Sequence, residues 1–537
     1  MIRSLTACSR CTTIALALSL SSSCTPADDR SSRAGTPELR AALFDTIMAL
    51  TAAREAFSPF KNEHWGTDPL QSMAAYRDEL IAADSEGALF YALEKVNNAR
   101  NDRHLDVALV PGGLRLAESA GLEVVGGEVE PVYVAPVRIL PDYSDPSVYF
   151  VADVSEDHTH FPDGGAEPGD RVITVNGRPM AEYEAAVRPY QASSYRPNLR
   201  WRMAEDITAR SAIMPPSFYR EGLELELGGA DGAVTSVTLP YLHPDSIPWA
   251  NISEPHYPGF RLEHATPTYD LYLPEDGGSV LILTWYGFRE TMIADVDELM
   301  ELAVERGWLD HDLIIDGTRS RGGSAGAYAV QRFTPKPFKT TFGNLRISDV
   351  VPLFTEEKRR EIAGGGSMDS GVPEAMDDGS WLMEWLDTDV ADSIAAGAEY
   401  TNNVPFKLAH APKDSDGILH PAPVHFRGRL VAFFVPRRGS HLDQFASIIK
   451  DNDLGPMIGM TPGGYSNTWE WDEVLYFPGT DQPVVRFMWD VGHSIRPNGE
   501  ILEGNPAHPD ELVLLTRENF RTYYAELLRR ALAHLGA

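Results

Sequence analysis

Ser440 lies in Gly439-Ser440-His441-Leu442-Asp443, directly after the apolar run Leu430-Val431-Ala432-Phe433-Phe434-Val435 and just before a helical pattern over about residues 442–450. A serine at that junction is lifted to the end of a buried strand, while the N–H groups opening a helix face an incoming oxyanion. Serine is also a favoured helix cap, so the same residue admits a purely structural role. A second segment, Asp316-Gly317-Thr318-Arg319-Ser320-Arg321-Gly322-Gly323-Ser324, follows the apolar run Leu313-Ile314-Ile315. Its glycines let backbone N–H groups approach a ligand unobstructed. A bare hydroxyl is a weak nucleophile at neutral pH and needs a base, such as an imidazole titrating at about 6.5. His441 adjoins Ser440, and its ring is badly placed to reach that hydroxyl; His493 and His104 are the other imidazoles of interest. His158 and His160 form a pair without a third ligand nearby, the pattern of solvent-facing residues, so no metal is expected.

These residues need elements to hold them. Apolar residues at helical spacing (Leu39, Leu43, Ile47, Leu50, then Leu80, Leu89, Leu93, Val96) predict a helical region that stops at Asn97-Asn98-Ala99-Arg100-Asn101-Asp102. Residues 103–110 alternate like a strand, which sets His104 at a helix-to-strand junction. From about residue 130 to 241 the chain reads as short strands and turns. Within it, Pro168-Gly169-Asp170, the run Arg171-Val172-Ile173-Thr174-Val175 and Asn176-Gly177 form a turn, a strand and a hairpin turn. From residue 279 onward, the apolar runs 280–283, 313–315 and 430–435 alternate with helical patterns at 292–306 and 442–450, which predicts an α/β core. Residues 333–424, rich in Gly, Asp and Ser, read as an insertion or flap, and 517–535 as a closing helix.

The order of these pieces resembles the tail-specific (C-terminal processing) serine protease superfamily over roughly residues 90–515. The resemblance rests on the Gly322-Gly323 turn, the Ser440-x-x-Asp443 helix, Thr461-Pro462-Gly463-Gly464 and the ending Glu503-Gly504-Asn505-Pro506-Ala507-His508-Pro509-Asp510. The segment 164–178 resembles part of a PDZ domain, which would bind extended peptide at a sheet edge. One branch of the superfamily places a lysine two residues beyond Thr-x-x-Gly, but here Tyr465 follows Gly464 directly and that lysine is missing. The sequence is similar instead to the histidine-dependent branch, which includes tricorn protease and the chlamydial protease-like activity factor. That resemblance implies Ser440 as nucleophile, His104 as general base and Glu503 as orienting acid, with Glu500 and Asp490 as rivals for the last role. It implies an oxyanion hole from the N–H groups of His441 and of Gly322 or Gly323. The usual Asp-x-Arg-x-Asn-x-Gly-Gly is altered here to the 316–323 segment quoted above.

The N-terminus reads as a separate object. Arg3 and Arg10 precede an apolar stretch at 12–20 too short to span a bilayer, the pattern of a secretory signal. All three cysteines, Cys8, Cys11 and Cys24, lie there, so disulfides and cysteine-based metal sites are excluded from the body after Cys24. Cys24 resembles the acceptor of a bacterial lipoprotein signal, with plain secretory cleavage as the alternative. Removing residues 1–23 deletes two arginines and no acid, taking the net charge from −32 to −34. So acidic a body repels phosphate backbones and anionic lipid headgroups, which argues against nucleic-acid binding.

The sequence thus predicts four regions: a signal segment at 1–24, a helical region at 25–125, a PDZ-like β domain at 130–245 and an α/β protease core of the ClpP/crotonase-like class at 250–537, with its insertion at 333–424. The expected activity is an exported, periplasmic or outer-membrane-anchored serine endopeptidase that acts on polypeptides without cofactor. An inactive binding protein of the same fold is the alternative. An esterase is disfavoured because no Gly-x-Ser-x-Gly surrounds Ser440.

Overall fold

The computed structural model describes residues 34–110, 124–125, 128–129, 133–161, 165–210, 213–289, 291–364, 380–405 and 411–536. The signal segment with Cys24, Gly164 of the PDZ-like motif and residues 365–379 of the expected flap lie outside these.

The chain enters through three helices that matter for the site: α1 (Pro37–Arg54), α2 (Pro59–Trp65) and α3 (Glu86–Asn98). Each begins on a polar cap, Thr36, Ser58 or Ser85, whose side chain accepts an N–H of the first turn. Pro37 and Pro59 fill first-turn positions that need no N–H donor. Only Val107–Leu109 of the expected strand forms (β1), leaving His104 in the bend before it.

A second unit is an antiparallel sheet of β2 (Val137–Pro141), β3 (Tyr149–Val154), β4 (Arg171–Val175), β5 (Leu223–Gly228) and β6 (Val234–Leu239), in spatial order β6-β5-β4-β3-β2. Asn176 and Gly177, both at positive φ, make the turn after β4. Helix α4 (Arg196–Thr208) packs beside the edge strand β2.

The third unit is a seven-stranded sheet in the order β7 (Phe260–Ala265), β8 (Tyr269–Pro274), β9 (Val280–Trp285), β10 (Asp312–Asp316), β11 (Leu430–Phe434), β12 (Met457–Gly459) and a final short strand at Glu511–Leu512. From β9 onward neighbouring strands run parallel. Helices α5 (Met292–Arg306), α6 (Gly326–Phe333) and α7 (His441–Asp451) share one apolar cluster with Leu430, Ala432 and Phe434. Val431, Phe433 and Val435 point the other way, into a cluster with α8 (Tyr523–Leu535). Both faces of β11 are therefore covered, which explains its unbroken apolar run. The closing helix is shorter than the sequence suggested: residues 517–522 are turns.

Much of the expected flap is core. Leu345, Val350, Phe354, Leu382, Trp385 and Val404 share one buried cluster with Leu43, Ile47, Leu93 and Val107 of the N-terminal region. A long hairpin, Asn467–Tyr476 with Pro483–Ile495, completes that cluster, and its second strand pairs with both β1 and Phe342–Gly343.

Candidate active site

Ser440 occupies the turn between β11 and α7 with φ 63° and ψ −127°, a conformation that L-residues rarely adopt. Such strain is held only where the surroundings enforce it, and it typifies strand-to-helix turns that present a nucleophile. The Ser440 side chain makes no cap hydrogen bond to α7, so the structural role open to it in the sequence is not the one it takes. Its N–H donates to the Tyr465 carbonyl at 2.6 Å.

Gly322 lies against the serine. A Cβ added there would sit 2.7 Å from Ser440 Cβ and 3.1 Å from its Oγ, too close for any larger residue. The turn carrying Gly322 is pinned by Asp316, which accepts from the Thr318 N–H at 2.8 Å and from the Tyr257 hydroxyl. Among the described residues, the N–H groups of His441, Gly322 and Gly323 donate no hydrogen bond.

The 461–465 loop is clamped from α7. The Asp443 carboxylate accepts the Gly464 N–H at 3.0 Å and the Tyr465 N–H at 3.2 Å. Burial pushes this carboxyl up to about 8 even though both N–H groups favour its charged form. The Tyr465 ring packs on Gly439 and meets the His104 ring edge-on, with centroids 5.0 Å apart. Tyr465 thus touches both the serine's turn and the imidazole.

His104 is held by its neighbours. Its N–H donates to Asp102 Oδ1 at 3.0 Å, while the Lys61 ammonium sits 2.6 Å from Asp102 Oδ2 and 3.9 Å from Glu503 Oε1. Burial brings the imidazole down to about 4, against the opposing pull of Asp102. Burial would raise Asp102, but Lys61 and His104 together bring it down to about 2. Glu503 is held well above the usual carboxylate range by burial and by the Asp102 charge, with Lys61 opposing. Glu503 Oε2 accepts the Ser466 N–H at 2.7 Å. Among the described residues, His104 Nδ1 and Glu503 Oε1 are buried atoms with no hydrogen-bond partner. The imidazole nitrogen and the carboxylate oxygen, the latter ion-paired to Lys61, both belong to the charge cluster around Asp102.

Similarity to known structures is strong in fold and weak in sequence. The structure matches mature CPAF complexed with lactacystin at a TM-score of 0.66, over 92% of this chain and 97% of that one, with 15% identity. This chain has the CPAF fold. A CPAF mutant with a serine replaced by alanine matches at a TM-score of 0.65, again at 15% identity, covering 92% and 96% of the two chains. No family model and no curated protein matches the sequence.

Within this CPAF-like frame the rival residues separate. Glu500 is exposed, on a turn where Asn498 and Asn505 donate to it. Asp490 is buried among the same charges as Glu503, but its Oδ1 accepts the Gly492 N–H. The His441 ring is turned into the core, where Nε2 accepts the Gly326 N–H at 2.6 Å and Phe288 packs on it. His493 stacks on Tyr400, and the Ser155 hydroxyl is 3.0 Å from His160 Nδ1. Sequence reasoning gave no role to Lys61, to Asp102 or to Tyr465. The Asn101-Asp102-Arg103-His104 spacing holds a signal for Asp102 alone, since an Asp two residues before a bend readily accepts that residue's N–H.

Proposed function

We propose that this chain is a serine endopeptidase with Ser440 as nucleophile, His104 as general base and Glu503 as orienting acid. The observation that carries the reading is the strained Ser440 turn, its hydroxyl uncommitted to the helix, beside the N–H groups of His441, Gly322 and Gly323, which donate no hydrogen bond among the described residues. His104 takes the Ser440 proton as Oγ attacks a peptide carbonyl, and the oxyanion is received by the N–H groups of His441 and of Gly322 or Gly323. Collapse breaks the C–N bond, the amine leaves with the proton from His104, and water releases the acyl group by the same route. The low proton affinity of the half-buried imidazole keeps it neutral, as a base must be, across the physiological range.

The unit around β2–β6 is read as PDZ-like and the main sheet as ClpP/crotonase-like. Export, with Cys24 as a lipid anchor in the periplasm or outer membrane, belongs to the same proposal. The CPAF likeness supports the histidine-dependent branch, and the substrate class is an extended polypeptide. Incubation of the purified protein with an unfolded polypeptide, followed by gel and mass spectrometry, tests this. Wild type is expected to cleave, and Ser440→Ala and His104→Ala to lose the activity while staying folded. Cleavage that survives in Ser440→Ala refutes the assignment, and a folded but inert wild type favours a binding protein of this fold.

A further inference from the structure

Lys61 is a lysine only 2% exposed, which is rare unless a charge is answered nearby. It stands in the first turn of α2, whose capping residue Ser58 does double duty. The Ser58 Oγ accepts the Lys61 N–H at 3.2 Å and donates to the Glu503 carbonyl at 2.5 Å. From the other side, a Cβ added to Gly504 would meet Lys61 Cα at 2.5 Å, so the two backbones are in direct contact. The ammonium is thereby fixed between Asp102 and Glu503.

The surrounding charges make this cation hard to replace. Facing it are Asp102, Glu503 and Glu55, with the Asp490 carboxyl also within reach of its charge and Arg103 flanking His104. Arg100 is another buried cation, and Glu55 claims it at 2.9 Å. Removing Lys61 would leave Asp102 and Glu503 as neighbouring buried acids with nothing between them, an arrangement that disfavours their charged forms.

We propose that Lys61 is a positioning residue of the active site: its ammonium holds Asp102 and Glu503 in place around His104 and sets the pH at which that imidazole works as a base. The inference rests on the serine-hydrolase reading above. It acts through charge and contact and places Lys61 on no reacting atom.

The sign of the effect is fixed by electrostatics. Loss of a positive charge raises the proton affinity of His104, Asp102 and Glu503 alike, so the acid limb of activity moves to higher pH whichever group governs it. Loss of the Asp102 charge lowers the proton affinity of His104 and Glu503, so the limb moves the other way. The test is the rate of covalent labelling by a fluorophosphonate probe as a function of pH, on full-length protein whose folding is checked by circular dichroism. Lys61→Gln, which removes the charge and keeps a polar donor on the side chain, is expected to shift the acid limb up by about one pH unit. Lys61→Arg is expected to keep the limb at its wild-type position, and Asp102→Asn to move it down. Should Lys61→Gln not fold, the downward shift in Asp102→Asn still decides the matter. An unmoved limb in folded Lys61→Gln or Asp102→Asn, or shifts of the same sign in the two, overturns the proposal. Wild type that labels no better than Ser440→Ala would instead sink the serine-hydrolase reading itself.

Discussion

At the scale of single residues, the site depends on how closely Gly322 approaches Ser440. A methyl group there falls inside contact distance of both Ser440 Cβ and Oγ, so Gly322→Ala must push the serine or its own turn aside. The expected result is a fall in peptidase activity on the order of 100-fold, the scale of losing an oxyanion donor. Thermal stability, read by circular dichroism, should change far less, because the turn lies at the surface end of the sheet. Ser440 and the glycines were legible because each sits beside an unbroken apolar strand, where short-range pattern carries the geometry. Lys61 was not: its partners Asp102 and Glu503 are 41 and 442 positions away, and a lysine near a helix start reads as solvated. Tyr465 was noticed only as a missing lysine, since nothing in its neighbours reveals a ring that packs on His104.

Among elements, the parallel strands and the helices of the main sheet were legible for the reason that they are buried: strands covered on both faces become continuous apolar runs, and amphipathic helices repeat at helical spacing. The long hairpin at 467–495 was overlooked, because one of its strands keeps charged residues on its open face and the pattern looks like loop. That hairpin ties the N-terminal helices to the rest of the fold. Trp489 at its centre is fully buried, donates to the Thr51 hydroxyl at 3.0 Å and lies under the Arg54 guanidinium. Trp489→Ala is expected to destabilise the protein by about 3–5 kcal/mol in urea denaturation, as loss of a large core side chain does. A small effect would mean that the hairpin is not the joint described. Residues 333–424 read as an insertion or flap because Gly, Asp and Ser dominate locally, whereas Leu345, Val350, Phe354, Leu382, Trp385 and Val404 of the segment enter the shared core.

For the molecule as a whole, the buried charges predict an unusual dependence of stability on pH. Burial pushes Asp443 and Glu94 up to about 8 and raises Glu55, Asp490 and Glu503 as well. An acid raised in the folded state binds its proton more tightly there than in the unfolded chain, so its contribution is lost as pH climbs toward the folded value. Half-buried His104 and buried His441 and His493 are brought down to about 4, 3 and 4, and they act oppositely, but only below the ordinary histidine range. Above about pH 6.5 the acids alone remain. The melting temperature is therefore expected to fall between about pH 6.5 and 8.5, and self-repulsion in a chain of net charge −32 adds to the fall. A rise over that interval would show that these carboxyls are ionised in the folded protein. The most direct measurement of the central claim is a crystal structure of the fluorophosphonate adduct. The expected adduct has phosphorus bonded to Ser440 Oγ, its oxygen receiving the N–H groups of His441 and of Gly322 or Gly323, and the His104 imidazole within hydrogen-bond reach of the same Oγ. An adduct on another residue, or an imidazole left out of reach with the adduct formed, would contradict it.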